Sequence, residues 1–412
     1  VGLAVIVAGG YYREVCVSPQ HDEDFGSGGR SALAIASAGI DVDWHYYCPE
    51  PQQKTAPVAL SNPHLRHCPH TSDEMVSFTY FHPLSKPEYR PSELPRYDDI
   101  VVEGDNILRF GFMEGDAIVH GDRVVFDPQS PNKPVSFKAN GSTAMSLAIV
   151  LNAQEVRALG KDKDESKAVR SIQQSENAPV ILVKSGPQGC RIYVDGGLQG
   201  TVPPYRTDRV YKIGSGDIFS AAFAYHWAEK GMPPDQAADA ASRCVARYCN
   251  SRVPSVILDD ETEALEPISV NDEKAKVYIA GPFFTMAELW LVEQACRALD
   301  SLGVSFFSPY HEAGLLRDYT DDQVHQTEIE RVVEADLKGL SECKAVFAIL
   351  DGCDPGTIFE IGWAVRHNIP VVALSQNPKP ADQTMVRGSK SCSISDDFAS
   401  AIYRVAWAAW SG

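Results

Sequence analysis

Two acidic constellations carry the chemistry of this sequence. The first lies in the stretch Phe347 to Val365, FAILDGCDPGTIFEIGWAV, where Asp354 sits in a turn cluster and Glu360 follows it. A carboxylate held beside an electrophilic carbon acts as a nucleophile or stabilises positive charge, and neighbouring acids push one another's pKa values apart. The second is Gly214-Ser215-Gly216-Asp217, which opens an apolar segment, Ile218 to Trp227. Free N–H groups at a glycine-flanked helix start form an anion site, and Asp217 stands where it would accept a proton from a substrate hydroxyl. Taken singly, each acid has a plainer reading. Glu360 suits a helix N-terminus, Asp354 a turn and Asp336 a solvated helix face, and Gly-Asp pairs are ordinary loop chemistry.

Elements that place such acids follow from the surrounding pattern. The apolar run Ala345 to Leu350 predicts a buried strand, closed by Asp351, Gly352, Asp354, Pro355 and Gly356. Phe359, Ile361, Ala364 and Val365 then predict a helix with Glu360 in its first turn. In an open α/β sheet such strand-to-helix turns are where ligands bind.

Composition limits the class. The chain of 412 residues is 44% apolar and 22% charged, which suits a soluble protein of two or three domains. A formal charge of −18 argues against a nucleic-acid partner. No apolar run approaches the roughly 20 residues of a membrane span, and no signal peptide is evident at Val1. The ten Cys include no CxxC pair, which fits reduced thiols and a cytoplasmic location. His64, His67, Cys68 and His70 are close in sequence but match no common zinc spacing, so no residue is assigned as a direct metal ligand.

Along the chain, Leu3–Ala8, Val42–Tyr47, Asp99–Val102, Ala117–His120, Val124–Phe126, Leu147–Leu151 and Val180–Lys184 read as strands. Gly28 and Gly29 precede a helix-like run from Ser31 to Ala36 and would let the backbone approach a ligand. Residues from Pro49 to about Glu93 have weak periodicity, and 261–274 reads as a linker. A second alternating pattern follows, with strands at Val277–Ala280, Val304–Phe307, Ala345–Leu350 and, last, Pro370–Leu374. Helices are expected over Met286–Leu302 and Asp321–Leu340.

In their order along the chain, Gly9-Gly10 after the first strand, Gly28-Gly29, Asn152-x-x-Glu155, Lys184-x-Gly186-x-x-Gly189 and Gly214-Ser215-Gly216-Asp217 resemble the PfkB, or ribokinase-like, family. The resemblance covers roughly residues 1–260. It implies transfer of the ATP γ-phosphate to a sugar or nucleoside hydroxyl, with Asp217 as base and Gly214, Ser215 and Gly216 as the anion hole. It also implies that Asn152 and Glu155 organise Mg2+ and phosphate, and that Lys184 and Gly186 belong to the ATP site. Three positions depart from the family pattern: Tyr211-Lys212 replace Asp-Thr, Glu14 is the nearest match to the sugar-binding Asp, and Leu33 stands where an Asn is usual.

Tyr278-Ile279-Ala280-Gly281-Pro282-Phe283-Phe284, Phe307-Ser308-Pro309, Asp336-Leu337-x-Gly339-Leu340 and Asp354-Pro355-Gly356-Thr357-x-Phe359-Glu360-Ile361-Gly362 resemble the nucleoside 2-deoxyribosyltransferase family. This resemblance implies cleavage of a nucleoside or nucleotide N-glycosidic bond without a cofactor. Glu360 would be the nucleophile and Tyr278 would position it. Asp336 and Asp354 would hold the sugar or handle the base's proton, Gly281, Ser308 and Thr357 would line the sugar or phosphate pocket, and a homo-oligomer would complete the sites.

The expected architecture is a ribokinase-like three-layer α/β/α domain (1–260), the linker, and a smaller flavodoxin- or Rossmann-like parallel α/β domain (275–412). The expected function is bifunctional nucleoside metabolism, with ATP and Mg2+ serving the first domain. In the alternative, the first domain senses nucleotide and gates the glycosidase without catalysis.

Overall fold

The computed structural model describes residues 4–53, 60–130, 134–271, 274–314, 322–377, 381 and 383–411. The chain divides into two compact units, Val1–Pro267 and Ile268–Gly412. The division falls inside the stretch read as a linker, of which residues 272–273 lie outside the described residues. Before the division, Asp259 caps a short turn of helix, Asp260–Glu263, through a bond from the Thr262 N–H.

Among the described residues, the first unit contains thirteen strands. In chain order they are β1 (Val5–Ala8), β2 (Arg13–Cys16), β3 (His21–Asp24), β4 (Val42–Pro49), β5 (Leu65–Ser72), β6 (Ser77–Tyr80) and β7 (Glu88–Arg90). They continue with β8 (Ile100–Phe110), β9 (Ala117–Asp127), β10 (Thr143–Asn152), β11 (Val180–Lys184), β12 (Cys190–Val194) and β13 (Gly197–Val202). Nine of them form one sheet in the order β13-β12-β11-β10-β9-β8-β1-β4-β5. It is parallel from β11 to β5, and β12 and β13 add antiparallel strands at one edge.

Alternation along the central strands makes three layers. Val5, Val7, Leu108, Val125, Val150 and Leu182 face one core with Ala32, Ile35, Ile218 and Ala237 from helices on that side. Their neighbours Ile6, Ala8, Ile107, Val124, Ile149 and Ile181 face another core with Val156, Val169 and Ile172. Strands apolar on both faces are the mark of a sheet covered on both sides. A separate small sheet, β3-β2-β6-β7, comes from regions without a clear strand signal. The Pro49–Glu93 stretch thus contributes β5 to the main sheet and β6 and β7 to the small one. Short, half-buried strands such as β6 and β7 lack the apolar runs that identify β1 or β11. His64, His67 and His70 are engaged with different neighbours, Asp41, Tyr46 and His45 respectively.

Among its described residues, the second unit has five parallel strands: β14 (Lys276–Ala280), β15 (Ser305–Phe307), β16 (Ala345–Ile349), β17 (Val371–Leu374) and β18 (Cys392–Ser395). Their order, β15-β14-β16-β17-β18, is that of a doubly wound sheet whose switch point lies between β14 and β16. The last strand is therefore β18 and not the Pro370–Leu374 segment. β18 escapes a hydrophobic reading because CSIS is short and half polar. The Asp322–Glu342 helix packs on β14, the Pro355–Arg366 helix on β14, β16 and β17, and the Phe398–Ser411 helix on β14, β16, β17 and β18.

Candidate active sites

In the second unit, the switch point brings β14 and β16 side by side, pairing Tyr278 with Val346. Tyr278 is fully buried and its ring stacks on Phe307, with centroids 5.4 Å apart and planes at 11°. Phe307 fits there because a side chain at Gly339 would lie 2.6 Å from its ring. So anchored, the Tyr278 hydroxyl donates to Glu360 Oε1 at 2.6 Å. Burial pushes the Glu360 carboxyl up to about 8, the charges of Asp336 and Asp354 add to the rise, and the Tyr278 bond opposes it. Burial first, and the charge of Glu360 second, drive the Tyr278 hydroxyl well above its usual range.

Glu360 does not lie in the first helical turn, as its sequence context suggests. The helix begins at Pro355, with Asp354 as its N-cap, so Glu360 falls in the second turn. The helix start is organised instead by Asp354, whose Oδ2 accepts from the Thr357 N–H at 2.8 Å and its hydroxyl at 3.0 Å. Helix-terminal stabilisation of Glu360 is accordingly weak, which agrees with a raised pKa. Asp336 comes from the Asp322–Glu342 helix; burial pushes its carboxyl up to about 6, and its Oδ1 is buried with no hydrogen-bond partner.

The residues expected to line the sugar or phosphate pocket make the following contacts. Thr357 is buried with its hydroxyl turned onto Asp354. Ser308 is buried and bonded to His311 Nδ1 at 3.0 Å, and His311 Nε2 meets Glu293 at 2.9 Å. A side chain on Gly281 would fall 2.9 Å from Ile349 Cδ1, so this glycine serves strand-to-strand packing.

In the first unit, a cavity of about 820 Å³ collects residues from the carboxyl ends of β8 to β11 and from the small sheet. Its lining includes Tyr12, Glu14, Asp127, Gln129, Asn152, Glu155, Lys184, Gly214 and Asp217. Lys184 Nζ meets Asp127 Oδ2 at 2.6 Å, and the Ser220 hydroxyl donates to the same oxygen at 2.7 Å. Asp127 Oδ1 is buried without a partner. Burial, with the charge of Asp127, pushes Glu155 up to about 7.

Asn152 and Glu155 form a capping box. Asn152 Oδ1 accepts from the N–H groups of Gln154 and Glu155, and Glu155 Oε2 accepts from the Asn152 N–H at 2.8 Å. Asp217 lies in the first turn of the Ser215–Phe223 helix, whose N-cap Gly214 has φ +79. The Ser215 N–H is already bonded to the Lys212 carbonyl at 3.1 Å. Side chains at Gly28 and Gly29 would meet the Gly9 carbonyl and the Trp44 ring, so the Gly26–Ala36 helix packs closely there against the end of β1 and against β4. Gly186 has φ +54 in the turn after β11.

Arg30, Gln129 and Asp127 are the residues that sequence reasoning passes over. Arg30 is fully buried, donates to Asp217 Oδ2 at 2.6 Å and forms an ion pair with Glu14. Burial alone would lower its pKa, but Glu14 and Asp217 outweigh it and hold the guanidinium charged. Gln129 Nε2 donates to Asp217 Oδ1 at 2.6 Å. One signal for Arg30 is visible in the chain: a lone Arg at the head of the apolar run Ala32 to Ala36 must find buried partners.

Comparison with known families follows this division. The pfkB family carbohydrate kinase matches residues 117–252, and the nucleoside 2-deoxyribosyltransferase family matches residues 277–396. The chain is a fusion of a pfkB-like kinase domain with a nucleoside 2-deoxyribosyltransferase-like domain. The pfkB match starts at β9, so Glu14, Arg30 and the small sheet lie outside it.

Among solved structures, the chain is similar to a pyrophosphate-dependent kinase in the ribokinase family complexed with a pyrophosphate analog and myo-inositol. That likeness has 14% identity and TM-score 0.44, over 64% of this chain and 100% of that one. It is also similar to ribokinase from Thermotoga maritima, with 15% identity and TM-score 0.42 over 63% and 98% of the two chains. For Arabidopsis thaliana ribokinase complexed with ribose and ATP, the figures are 13% and 0.43, over 60% and 93%. No curated protein matches the chain. The three-layer fold of the pfkB-like domain and the parallel sheet of the transferase-like domain rest on strand order and pairing.

Proposed function

We propose that the transferase-like domain cleaves the N-glycosidic bond of a nucleoside or nucleoside 5′-monophosphate, with Glu360 as nucleophile. The observation that carries this reading is the Tyr278–Glu360 bond of 2.6 Å at the sheet's switch point. As the bond from the anomeric carbon to the base nitrogen breaks, a Glu360 oxygen bonds to that carbon, and the leaving base takes up a proton. Asp336, raised by burial, suits that proton transfer. Asp354 fixes the helix that carries Glu360. Water or a second base then attacks the glycosyl–enzyme ester and frees Glu360.

Exposed Phe284, Met286, Trp290 and Phe359 near these segments support a homo-oligomer. Nothing in the charge of −18 favours nucleic acid, and among the described residues no helix is long and apolar enough to cross a membrane.

The pfkB-like domain is read as the partner activity: Asp217 accepts the proton of a sugar or nucleoside hydroxyl that attacks the γ-phosphorus of ATP. Mg2+ fits this site, since it is held by one or two carboxylates together with substrate phosphates. Asp127, with its orphaned buried Oδ1, and Glu155 offer such oxygens. A bound Mg2+ would neutralise phosphate charge. A second reading, a nucleotide-sensing domain that gates the glycosidase, is favoured by one observation: both Asp217 oxygens already accept hydrogen bonds.

Chromatography of nucleosides and 5′-monophosphates, incubated with wild-type protein and with Glu360→Ala, tests the first claim. Free base that appears with wild type and disappears with the variant is the expected result. Base release from no substrate, with or without an acceptor base, sinks it. Labelled phosphate transfer from ATP, lost in Asp217→Asn, separates a kinase from a sensor.

A further inference from the structure

In phosphoryl transfer to a hydroxyl, the base must present a lone pair to the acceptor proton. Asp217 lines the 820 Å³ cavity, and each of its two oxygens already accepts one of the hydrogen bonds it can take. Arg30 reaches Oδ2 at 2.6 Å and is itself fully buried between Asp217 and Glu14. This contact is part of the protein core: a side chain on Gly214 would land 2.2 Å from Arg30 Nε, so the helix start and the guanidinium are fitted together. Gln129 differs. It lines the cavity together with Asp217, is only partly buried, and donates its amide to Oδ1 at 2.6 Å. To do so it follows Pro128 with φ +41, a left-handed conformation uncommon for a residue with a Cβ.

From these contacts we infer that Gln129 caps the base of the pfkB-like domain and competes with the acceptor hydroxyl for Asp217 Oδ1. Arg30 fixes Oδ2 and thereby aims Oδ1 at the cavity, where Gln129 holds the acceptor's place. Phosphotransfer then requires the Gln129 amide to swing away. The acceptor oxygen bonds to the γ-phosphorus, the bond to the ADP oxygen breaks, and the acceptor proton goes to Oδ1. Gln129 is thus a positioning residue that sets the acceptor affinity. The inference rests on the reading of Asp217 as base.

The decisive variant is Gln129→Gly, which removes the amide and suits the positive φ, so that folding is preserved. Labelled phosphate transfer is measured from ATP and Mg2+ to ribose, deoxyribose and a set of ribonucleosides, with wild type, Gln129→Gly, Asp217→Asn and the double variant. A hydrogen bond to a charged group is the barrier being removed, so acceptor kcat/KM rises about tenfold or more in Gln129→Gly. The gain falls mainly in acceptor KM, the KM for ATP is unchanged, and Asp217→Asn abolishes it.

An unchanged or lower acceptor kcat/KM in Gln129→Gly overturns the capping role. If Asp217→Asn silences the wild type in the same series, the base reading survives that failure. Transfer that persists in Asp217→Asn overturns the base reading and the inference with it. Transfer in none of the four proteins also overturns the inference, because removing the cap then releases nothing.

Discussion

Replacing Tyr278 with Phe isolates one contact of the proposed glycosidase site. The variant keeps the ring and its 11° stack on Phe307, and removes only the hydroxyl that donates to Glu360 at 2.6 Å. A hydrogen bond to a charged group contributes about 1.5–3 kcal/mol. Part of it persists when the acid is protonated, which leaves a differential of about 1.4 kcal/mol, or about one pKa unit.

The native carboxyl stands at about 8, held there by burial against the pull of Tyr278. At pH 7 roughly one site in ten is ionised, and after the substitution roughly one in a hundred. Base release at pH 7 should fall about tenfold, and the deficit should shrink steadily as pH rises through about 9. The assay is the initial rate of base release at low substrate across about pH 6 to 10, with thermal unfolding as a check that the domain is intact. Two outcomes refute the argument: a pH limb that superimposes on wild type, or a loss of equal size at every pH. Either would mean that Tyr278 does not set the ionisation of the nucleophile.

Other substitutions should move the site in different directions. Asp354→Ala removes a negative charge that raises Glu360, so the rising limb of the pH profile should shift to lower pH, while the lost N-cap costs about 1 kcal/mol in thermal unfolding. Glu360→Gln should stabilise the transferase-like domain. Its raised native pKa means that folding binds a proton, so the native carboxylate loses stability as pH rises from the usual acid range through about 8. The gain in unfolding free energy should be larger near pH 8.5 than near pH 5, on the order of 1–2 kcal/mol after allowance for partial exposure. Equal gains at both values would contradict the linkage. Gly214→Ala should destabilise the pfkB-like domain by more than about 1 kcal/mol, because φ is +79 and the new methyl meets Arg30 Nε at 2.2 Å. Denaturant titration of the purified chain reads this directly.

Much of the protein was legible in its residues because local chemistry repeats with the period of the element that carries it. VIVA and VILVK are buried along their whole length, and both occupy interior positions of a doubly covered sheet. Phe359, Ile361, Ala364 and Val365 announce a helix, while the role of Asp354 as its N-cap, with Pro355 as first residue, comes from the structure. The motif order along the chain was enough to name both families, which the family matches support.

What the chain alone could not decide is which groups meet across long separations and what they do to one another. Arg30 and Gln129 reach Asp217 from far away in sequence, and no local pattern encodes that both would donate to it. That Gly28 and Gly29 lie close against Gly9 and Trp44 is likewise visible only in the folded chain. The same holds for Glu360. Its identity as a carboxylate follows from the sequence, but its pKa is a sum of burial, two nearby acids and one phenol. Residue types and local period are properties of the chain, whereas dielectric surroundings and partner distances exist only once the sheet has brought β14, β16 and their helices together.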